Sequence, residues 1–252
     1  MEEYNARMKE FKVRGIVLRE VFVGEADKIL TIFAKDYGKI SVRARGARRS
    51  KSKFLAGTQL FAYSDFIVFT RGKHYFLSQV DVIESFYDIR SDYDRLCYAN
   101  YFLEISDKIL MEGMESNNIL LLLLKTLKAV CNDRMNLSLV ARIFELKLLD
   151  YSGYRPEVQA CNLCNKEVKE ADIYFNREGI VCSKCVKISS KMDIFTLNET
   201  SIYAMRYILY SELSNLYNFN LDNHSLKELQ QACKLLMSEL GLNIKSLSFI
   251  NF

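Results

Sequence analysis

The sequence lacks the residue patterns that mark common enzyme active sites. It contains no Gly-x-x-x-x-Gly-Lys phosphate-binding loop, no Gly-x-Ser-x-Gly nucleophile turn and no His-Glu-x-x-His motif. The two histidines, His74 and His224, are isolated, and we interpret both as ordinary surface or half-buried residues. Acidic residues are scattered along the chain, so nothing assembles a nucleophile, a base and an orienting group. We therefore predict a protein that is not an enzyme.

Long apolar segments are also missing. The longest apolar run, Ile119 to Leu124, is far shorter than the roughly 20 residues of a membrane-spanning helix. The charged start of the chain, MEEYNARMKEFK, has no apolar signal-peptide core. We therefore expect a soluble cytoplasmic protein that has no membrane partner and no disulfide framework.

Four of the seven cysteines form two Cys-x-x-Cys pairs separated by 17 residues. This spacing is typical of a zinc site with four thiolate ligands, and such a site leaves no open position for water. We therefore predict one structural Zn²⁺ per chain, in a ribbon whose segment 177–179 turns a short β-hairpin. The alternative is a ribbon without metal, with free thiols or two labile disulfides. The predicted ligands are Cys161, Cys164, Cys182 and Cys185. The remaining Cys97, Cys131 and Cys233 are predicted to be buried thiols.

The first eighty-odd residues have the sequence features of β-strands. In GKISVRARG, the apolar residues Ile40, Val42 and Ala44 alternate with polar ones, which predicts a strand with one buried face. FKVRGIVLREVFV, KILTIFAKD and two strands joined at 71–73 bring the total to five. A single sheet of this size would expose an apolar face, so we expect the strands to close into a small barrel.

From Ser91 onwards the apolar residues recur at helical spacing. We predict a first helix with a capping box of Ser91 and Asp94, an apolar core helix from Asn118 to about Cys131, and a third from about Ser138 to Tyr151. Later capping boxes pair Thr196 with Glu199 and Ser225 with Glu228, and the last helix ends at Gly241.

Positive charge is concentrated in the first part of the chain. Residues 1–79 contain 16 Lys and Arg against 8 Asp and Glu, although the formal net charge of the whole chain is only +4. No acidic residue occurs from Tyr37 to Ser64, so the cations of this stretch repel one another. Phosphates relieve such repulsion and release counterions. We predict a nucleic-acid-binding surface on one strand and a flexible loop, Gly46 to Gly57; the alternative is a merely solvated loop. The predicted contacts are Lys39, Arg43, Arg45, Arg48, Arg49, Lys51 and Lys53.

Two further features near these sites remain open to interpretation. Tyr37, Phe54 and Phe61 are either barrel core or platforms on which bases stack. The cysteine ribbon is nearly balanced in charge. We therefore interpret it as an element that stabilises the structure rather than a surface that binds DNA.

The sequence resembles the RecO family, the bacterial recombination-mediator and DNA-repair proteins. The features that carry the resemblance are Gly24, Glu25 and Asp27, the Tyr37-Gly38-Lys39 turn, Gly46-Ala47-Arg48-Arg49 followed by Lys51-Ser52, and the ending LGLNIKSLSFI. The resemblance covers essentially the whole chain. It is most specific in the N-terminal block.

This resemblance implies an α+β multidomain fold: an N-terminal five-stranded OB-fold β-barrel, then an α-helical domain with an inserted zinc ribbon. We place the domains at 1–82, 83–252 and, for the ribbon, 158–190. The implied function is non-enzymatic: the protein binds single- and double-stranded DNA, anneals complementary strands, and works at the nucleoid with RecR and single-strand binding protein to help load RecA. The resemblance itself assigns DNA contacts to Lys39, Arg48, Arg49 and Lys51; the charge argument adds Arg43, Arg45 and Lys53.

Two other function classes are alternatives to this one. OB barrels and zinc ribbons also occur in RNA-binding transcription or translation accessory proteins, and an OB groove does not demand a 2′-hydroxyl. A nuclease or another DNA-modifying enzyme would need clustered carboxylates or an open metal site. The sequence offers neither.

Overall fold

The computed structural model describes residues 10–168, 173–187 and 193–250. These residues form two compact units, which divide between Leu121 and Leu122. Residues 1–9 of the predicted barrel domain lie outside the described residues, as do 169–172 and 188–190 of the predicted ribbon. Among the described residues, no helix is both long enough and apolar enough to cross a membrane.

The first unit is built on a closed five-stranded barrel, as predicted. Its strands follow the order β1-β2-β3-β5-β4, and β4 returns to pair with β1. All neighbouring pairs are antiparallel except β3 and β5, which pair in parallel over two residues only. Their bounds are Glu10–Val23 (β1), Asp27–Ala34 (β2), Gly38–Ala44 (β3), Tyr63–Arg71 (β4) and His74–Glu84 (β5).

The apolar side chains of alternate strand residues fill the barrel interior. Ile40, Val42 and Ala44 of β3 are buried in this core, as their alternation predicts. The long strand β1 departs from alternation, because its register with β2 shifts between Val17 and Arg19. Such a bulge bends the strand and re-aims its side chains, which lets β1 follow the barrel wall.

A short 3₁₀ helix, Tyr87–Ser91, and helix α1, Tyr93–Ile109, complete the first unit, and helix α2, Asn117–Val130, begins in it. The α1–α2 connection packs on the turn that leads into β3. Gly38 has φ +67°, and a Cβ atom there would lie 2.2 Å from the Met114 carbonyl oxygen. Only glycine fits this position.

The second unit contains the rest of α2, the helices α3 (Leu137–Tyr151), α5 (Glu199–Tyr210) and α6 (Asn223–Ser238), and the cysteine ribbon. Helix α3 is the central one, since its residues from Leu139 to Leu149 are all buried. By contrast, α2 exposes Leu121, Lys125 and Lys128 along one side. The predicted core helix is confirmed for most of α2, because its buried residues form one broad apolar face and only this narrow side is exposed.

The helices begin at Asx residues rather than at the predicted Ser and Thr. Asp92 accepts a hydrogen bond from the Arg95 N–H at the start of α1, and Asn198 accepts one from Ser201 at the start of α5. Short Asp and Asn side chains satisfy free N–H groups of a first turn as well as Ser does. The predicted caps Ser91 and Thr196 lie instead in the 3₁₀ helix and in strand β8, Phe195–Leu197.

Helix α6 shows the same correction. Asp222 caps it by accepting hydrogen bonds from the N–H groups of His224 and Ser225. The hydroxyl of Ser225, the predicted cap, donates to the Asp222 carboxylate at 2.6 Å. Gly241 lies beyond the end of this helix with φ +59°, a backbone conformation that favours glycine.

Candidate metal centre and nucleic-acid interface

The first Cys-x-x-Cys pair lies in a tight turn. The N–H of Cys161 donates to the Lys166 carbonyl at 2.9 Å, and the N–H of Asn165 donates back to the Cys161 carbonyl at 2.8 Å. Asn165 has φ +58°, which Asn tolerates better than most residues. The turn therefore brings the thiols of Cys161 and Cys164 to the same side of the chain.

The second pair follows a β-hairpin made of strands β6 (Ile173–Asn176) and β7 (Gly179–Val181). Cys182 leaves β7, and Cys185 lies in the single-turn helix α4, Ser183–Val186. A hydrogen bond of 2.8 Å from the N–H of Asn162 to the Ile180 carbonyl joins the two halves of the ribbon. The hairpin with its turn at 177–179 was predicted correctly.

Gly179 is required at the hairpin turn. It has φ +131°, and a Cβ atom would lie 2.0 Å from the Glu157 carbonyl oxygen. The Glu157 N–H donates to the Glu178 carbonyl, and the N–H of Ile180 donates to the Glu157 carbonyl, both at 2.8 Å. The chain that enters the ribbon is thus pressed against the hairpin, and this contact sets the position of the first cysteine pair.

The four thiols form one cluster. The sulfur atoms of Cys161, Cys164, Cys182 and Cys185 all lie within 4.8 Å of one another, and those of Cys164 and Cys182 are 3.8 Å apart. A tetrahedral zinc ion with Zn–S bonds of about 2.3 Å has sulfur–sulfur edges of about 3.8 Å. The cluster therefore fits a four-thiolate metal ion, and these residues could hold one.

The electrostatics of the thiols suit a cation. Burial disfavours the Cys161 thiolate, but hydrogen bonds from the N–H groups of Cys182, Leu163 and Cys164 outweigh it and lower the pKa of Cys161 to about 6. The pKa of Cys185 is raised to about 12, because its thiol hydrogen-bonds with those of Cys182 and Cys164. A metal ion compensates the mutual repulsion of four thiolates.

The ribbon is fastened to the helices of its own unit. A third strand, β8, pairs with β6, and one residue later the chain enters α5. Arg206 of α5 donates to the Val158 carbonyl at 2.6 Å. Arg177 in the hairpin turn forms ion pairs with Asp193 and with Glu239 at the end of α6. The sequence analysis missed β8, because its Thr196 was assigned to a helix cap.

The basic loop, residues 46–57, is a succession of turns. Backbone hydrogen bonds of 2.9–3.2 Å run from the N–H of Arg49 to Gly46, of Ser52 to Arg49 and of Leu55 to Ser52. At its start, the Gly46 N–H donates to the Asp27 carboxylate at 2.9 Å. The loop predicted to be flexible is therefore internally hydrogen-bonded and anchored to the start of β2.

The structure places two of the seven predicted cations beside carboxylates. The Arg43 guanidinium donates twice to Asp27, at 2.9 and 3.2 Å. The Lys39 ammonium lies 3.2 Å from the Asp107 carboxylate and donates to the Asp107 carbonyl at 2.6 Å, at the C-terminal end of α1. The expectation that no acidic group balances this stretch was wrong for these two residues, since their partners come from other elements.

Three more of the predicted cations lie over aromatic rings. Arg45 is 4.8 Å from the centroid of Phe76, and Arg48 is 4.4 Å from that of Phe22. The ammonium of Lys53 lies 5.2 Å from the ring centre of its neighbour Phe54. Stacking a guanidinium on a ring leaves its N–H edges free to donate hydrogen bonds.

Arg49 and Lys51 complete the set. Both side chains are exposed on the basic loop. Within the part of the chain that the structure describes, neither has a carboxylate or ring partner. These two cations are therefore the ones most open to an external anion.

A cleft of about 520 Å³ opens where β3 and β5 diverge. It lies between the barrel strands and the α1–α2 connection. Among the described residues that line it, the cations outnumber the acidic residues, of which Glu112 is the only one. The lining consists of Ile29, Lys39, Ile40, Ser41, Arg43, Lys73, His74, Tyr75, Phe76, Glu112 and Gly113.

The three aromatic candidates divide between core and surface. Phe61 is only 1% exposed, so of the two interpretations left open for it the structure supports the core. Phe54 is partly buried against the barrel core. Tyr37 is 43% exposed and packs beside Phe11. Sequence reasoning did not single out Phe22, which is 59% exposed; its position two residues before Gly24, at the end of a predicted strand, was the available signal.

Comparisons with known proteins agree with this architecture. The model described as "Recombination protein O N terminal" matches residues 8–86, and "Recombination protein O C terminal" matches residues 90–248. The DNA repair protein RecO of Acetivibrio thermocellus is 40% identical over 247 residues, 96% of this chain and 97% of that protein. The DNA repair proteins RecO of Alkaliphilus metalliredigens and Caldicellulosiruptor saccharolyticus are each 34% identical, over 88% and 97% of this chain and 90% and 99% of their own lengths. The chain therefore belongs to the RecO family of DNA repair proteins.

Proposed function

We propose that this RecO-family chain is a non-enzymatic mediator of DNA repair and recombination. It binds single- and double-stranded DNA and anneals complementary strands. With RecR it helps to load RecA onto DNA coated by single-strand binding protein. The observation that carries the proposal is the concentration of cations on the basic loop of an OB-like barrel and along the cleft between β3 and β5.

The position of the cleft supports this proposal. OB-folds bind oligonucleotides on the face of strands 2 and 3 and on the loops that join strands 1–2 and 4–5. In this barrel the corresponding face carries Lys39 and Arg43, and the β4–β5 turn carries Lys73 next to His74. A strand of phosphates that follows this face would pass from the turn at 72–73 to the basic loop.

The seven predicted contacts differ in the roles we assign to them. Arg49 and Lys51 are exposed and bind phosphates directly, while Arg45 and Arg48 offer guanidinium edges above their rings. Lys53 lies towards the far end of the loop and adds to the positive electrostatic potential of the loop. Arg43 and Lys39 are held by Asp27 and Asp107. These two shape the cleft wall and contribute less to affinity than the exposed cations do.

We propose that the thiol cluster binds one Zn²⁺ through Cys161, Cys164, Cys182 and Cys185. With four protein ligands the ion would stabilise the ribbon and offer no open position for a reactant. Because the ribbon is fastened to α5 and α6 and balances most of its charges, we assign it to the stability of the second unit rather than to DNA contacts.

The domain bounds predicted from the sequence also define the functional parts that we propose. We propose that residues 1–82 bind DNA, that 83–252 form the helical domain, and that 158–190 form the ribbon within it. The structural units divide later, at 121/122, because α1 packs against β1. We expect the protein to act in the cytoplasm at the nucleoid, since that is where its proposed partners and substrate meet.

The test is annealing of complementary strands by the purified protein without nucleotide, on naked strands and on strands coated by single-strand binding protein. Annealing must bring two polyanions together, so we expect it to decline with salt more steeply than the binding of one strand. Arg49→Ala with Lys51→Ala should slow annealing. The matched control, Lys125→Ala with Lys128→Ala, removes two exposed lysines of α2 and should not.

Two outcomes would overturn the proposal. One is the absence of annealing at low salt with both naked and coated strands. The other is a requirement for ATP hydrolysis by this chain. If the protein bound RNA strands and failed to anneal DNA, the role of RNA-binding accessory protein would replace the proposed one.

A further inference from the structure

The geometry points to Phe22 as a stacking site for an unpaired base, with Arg48 as the group that holds the adjoining phosphate. This inference deepens the proposed function and rests on it, since it names the residue that distinguishes bases from backbone. It concerns a part of the barrel that the sequence patterns did not single out.

Phe22 is a large apolar residue on the surface of the barrel. It lies near the end of β1, one residue before the strand ends, and the residue is 59% exposed. Single exposed apolar residues are common on protein surfaces. Phe22 differs from such residues because two cations held by contacts of their own lie over its ring: Arg48, and more distantly the Lys28 ammonium, 5.8 Å from the ring centre.

Arg48 is fixed above the ring by the loop between β1 and β2. Its backbone N–H donates to the Ala26 carbonyl at 2.9 Å, and its guanidinium donates to the Gly24 carbonyl at 3.3 Å. The guanidinium carbon lies 4.4 Å from the centre of the Phe22 ring. The basic loop and the β1–β2 loop therefore meet at this pair, which keeps the ring and the guanidinium in place.

A nucleobase is the ligand that fits this surface best. Bases stack on phenyl rings and on guanidinium planes alike, and every base has a π-face, so the contact does not depend on sequence. Phosphates on either side of a stacked base would meet Arg48 and the next cation, Arg49. The bases of a duplex are already stacked on one another, so this site selects single strands.

The chain contains no tryptophan, which allows a direct test. Phe22→Trp introduces the single indole of the protein, and stacking on a base quenches indole fluorescence. We expect quenching by a deoxythymidine oligonucleotide and none by an abasic oligonucleotide of the same length. Tyr87→Trp is the matched control: Tyr87 is 72% exposed, in the same unit but outside the barrel strands, and its variant should stay unquenched.

Affinity gives the second measurement. Phe22→Leu should weaken binding of the deoxythymidine strand about tenfold, from the usual worth of one base–aromatic stack. It should leave abasic binding and the salt dependence unchanged. Equal quenching by both strands, or an unchanged affinity of Phe22→Leu, would overturn the stacking site alone, provided that the wild-type protein binds. If the wild-type protein bound neither strand, the proposed function would fail with it.

Discussion

Asp27 and Arg43 form an ion pair on the outer face of the barrel, in which one oxygen of the Asp27 carboxylate accepts two guanidinium hydrogen bonds, at 2.9 and 3.2 Å. The other oxygen accepts the N–H of Gly46, where the basic loop begins. One carboxylate therefore orients a predicted DNA contact and anchors the loop that carries four more. This gives Asp27, one of the residues on which the resemblance to the family rests, a structural role in this chain.

The first prediction concerns the pH dependence of this anchor. The Gly46 N–H, followed by Arg43, lowers the pKa of Asp27 from its usual 3.8. The anchor should therefore be complete above pH 4 and be lost as the pH falls through the lowered pKa. The amide resonance of Gly46 should report this titration by NMR, with a midpoint below 3.8. Asp27→Asn should abolish the titration, whereas Asp65→Asn, at a distant ion pair, should not.

The second prediction separates Lys39 from the exposed cations. Lys39→Met removes the ion pair with Asp107 and the bond to the end of α1, so it should lower the free energy of unfolding by about 2 kcal/mol. The slope of log affinity against log salt for single strands should stay nearly unchanged.

Arg49→Ala is the matched comparison for Lys39→Met. Because Arg49 is exposed, its loss should leave stability unchanged and make the slope shallower by about 0.7. Denaturant titration and salt-dependent binding measure the two effects. Our division of roles would be wrong if Lys39→Met changed the slope and Arg49→Ala did not.

The sequence predicted the barrel well because its signal is local. A two-residue period marks β3, β-branched and apolar runs mark β1 and β2, and Gly38 and Gly72 mark turns that the structure confirms. The pairing of the cations was not predictable in the same way. Asp107 lies 68 residues from Lys39, and only the packing of α1 on the barrel brings the two together.

The ribbon and the helix ends show the same limit. The thiol cluster follows from spacing alone, since two Cys-x-x-Cys turns can close on one ion. Strand β8 could not be predicted from the sequence, because a strand of three residues is too short to show a clear two-residue periodicity. In addition, Thr196 also fits a helix cap. Ser and Asp are both good caps, so Ser225 was chosen where Asp222, three residues earlier, starts the helix.

The third prediction concerns the acidic residue of the cleft. Glu112 lines the same cavity as Lys39, Arg43 and Lys73, where its charge opposes an incoming phosphate. Glu112→Gln should therefore raise the affinity for single strands roughly threefold at low salt, the usual worth of one exposed charge interaction. Glu115→Gln, an exposed residue of the same connection that does not line the cleft, is the control. Equal effects of the two changes would indicate net charge rather than position.

The fourth prediction concerns the metal. We expect elemental analysis of freshly prepared, reduced protein to find about one zinc per chain. Cys161 is a buried ligand, and three N–H groups stabilise its thiolate. Cys161→Ser should therefore release the metal and destabilise the second unit. Cys131→Ser, at a thiol outside the cluster, should keep the metal.

The effect on DNA separates a structural ion from one that takes part in binding. Because the basic loop and the cleft belong to the first unit, Cys161→Ser should bind single strands with the wild-type affinity and salt slope at temperatures where the protein stays folded. Thermal unfolding monitored by circular dichroism should show a lower midpoint for the change at Cys161 than for that at Cys131. A protein without metal, or a Cys161→Ser variant that stays folded and loses DNA binding, would contradict the assignment of the ribbon to stability.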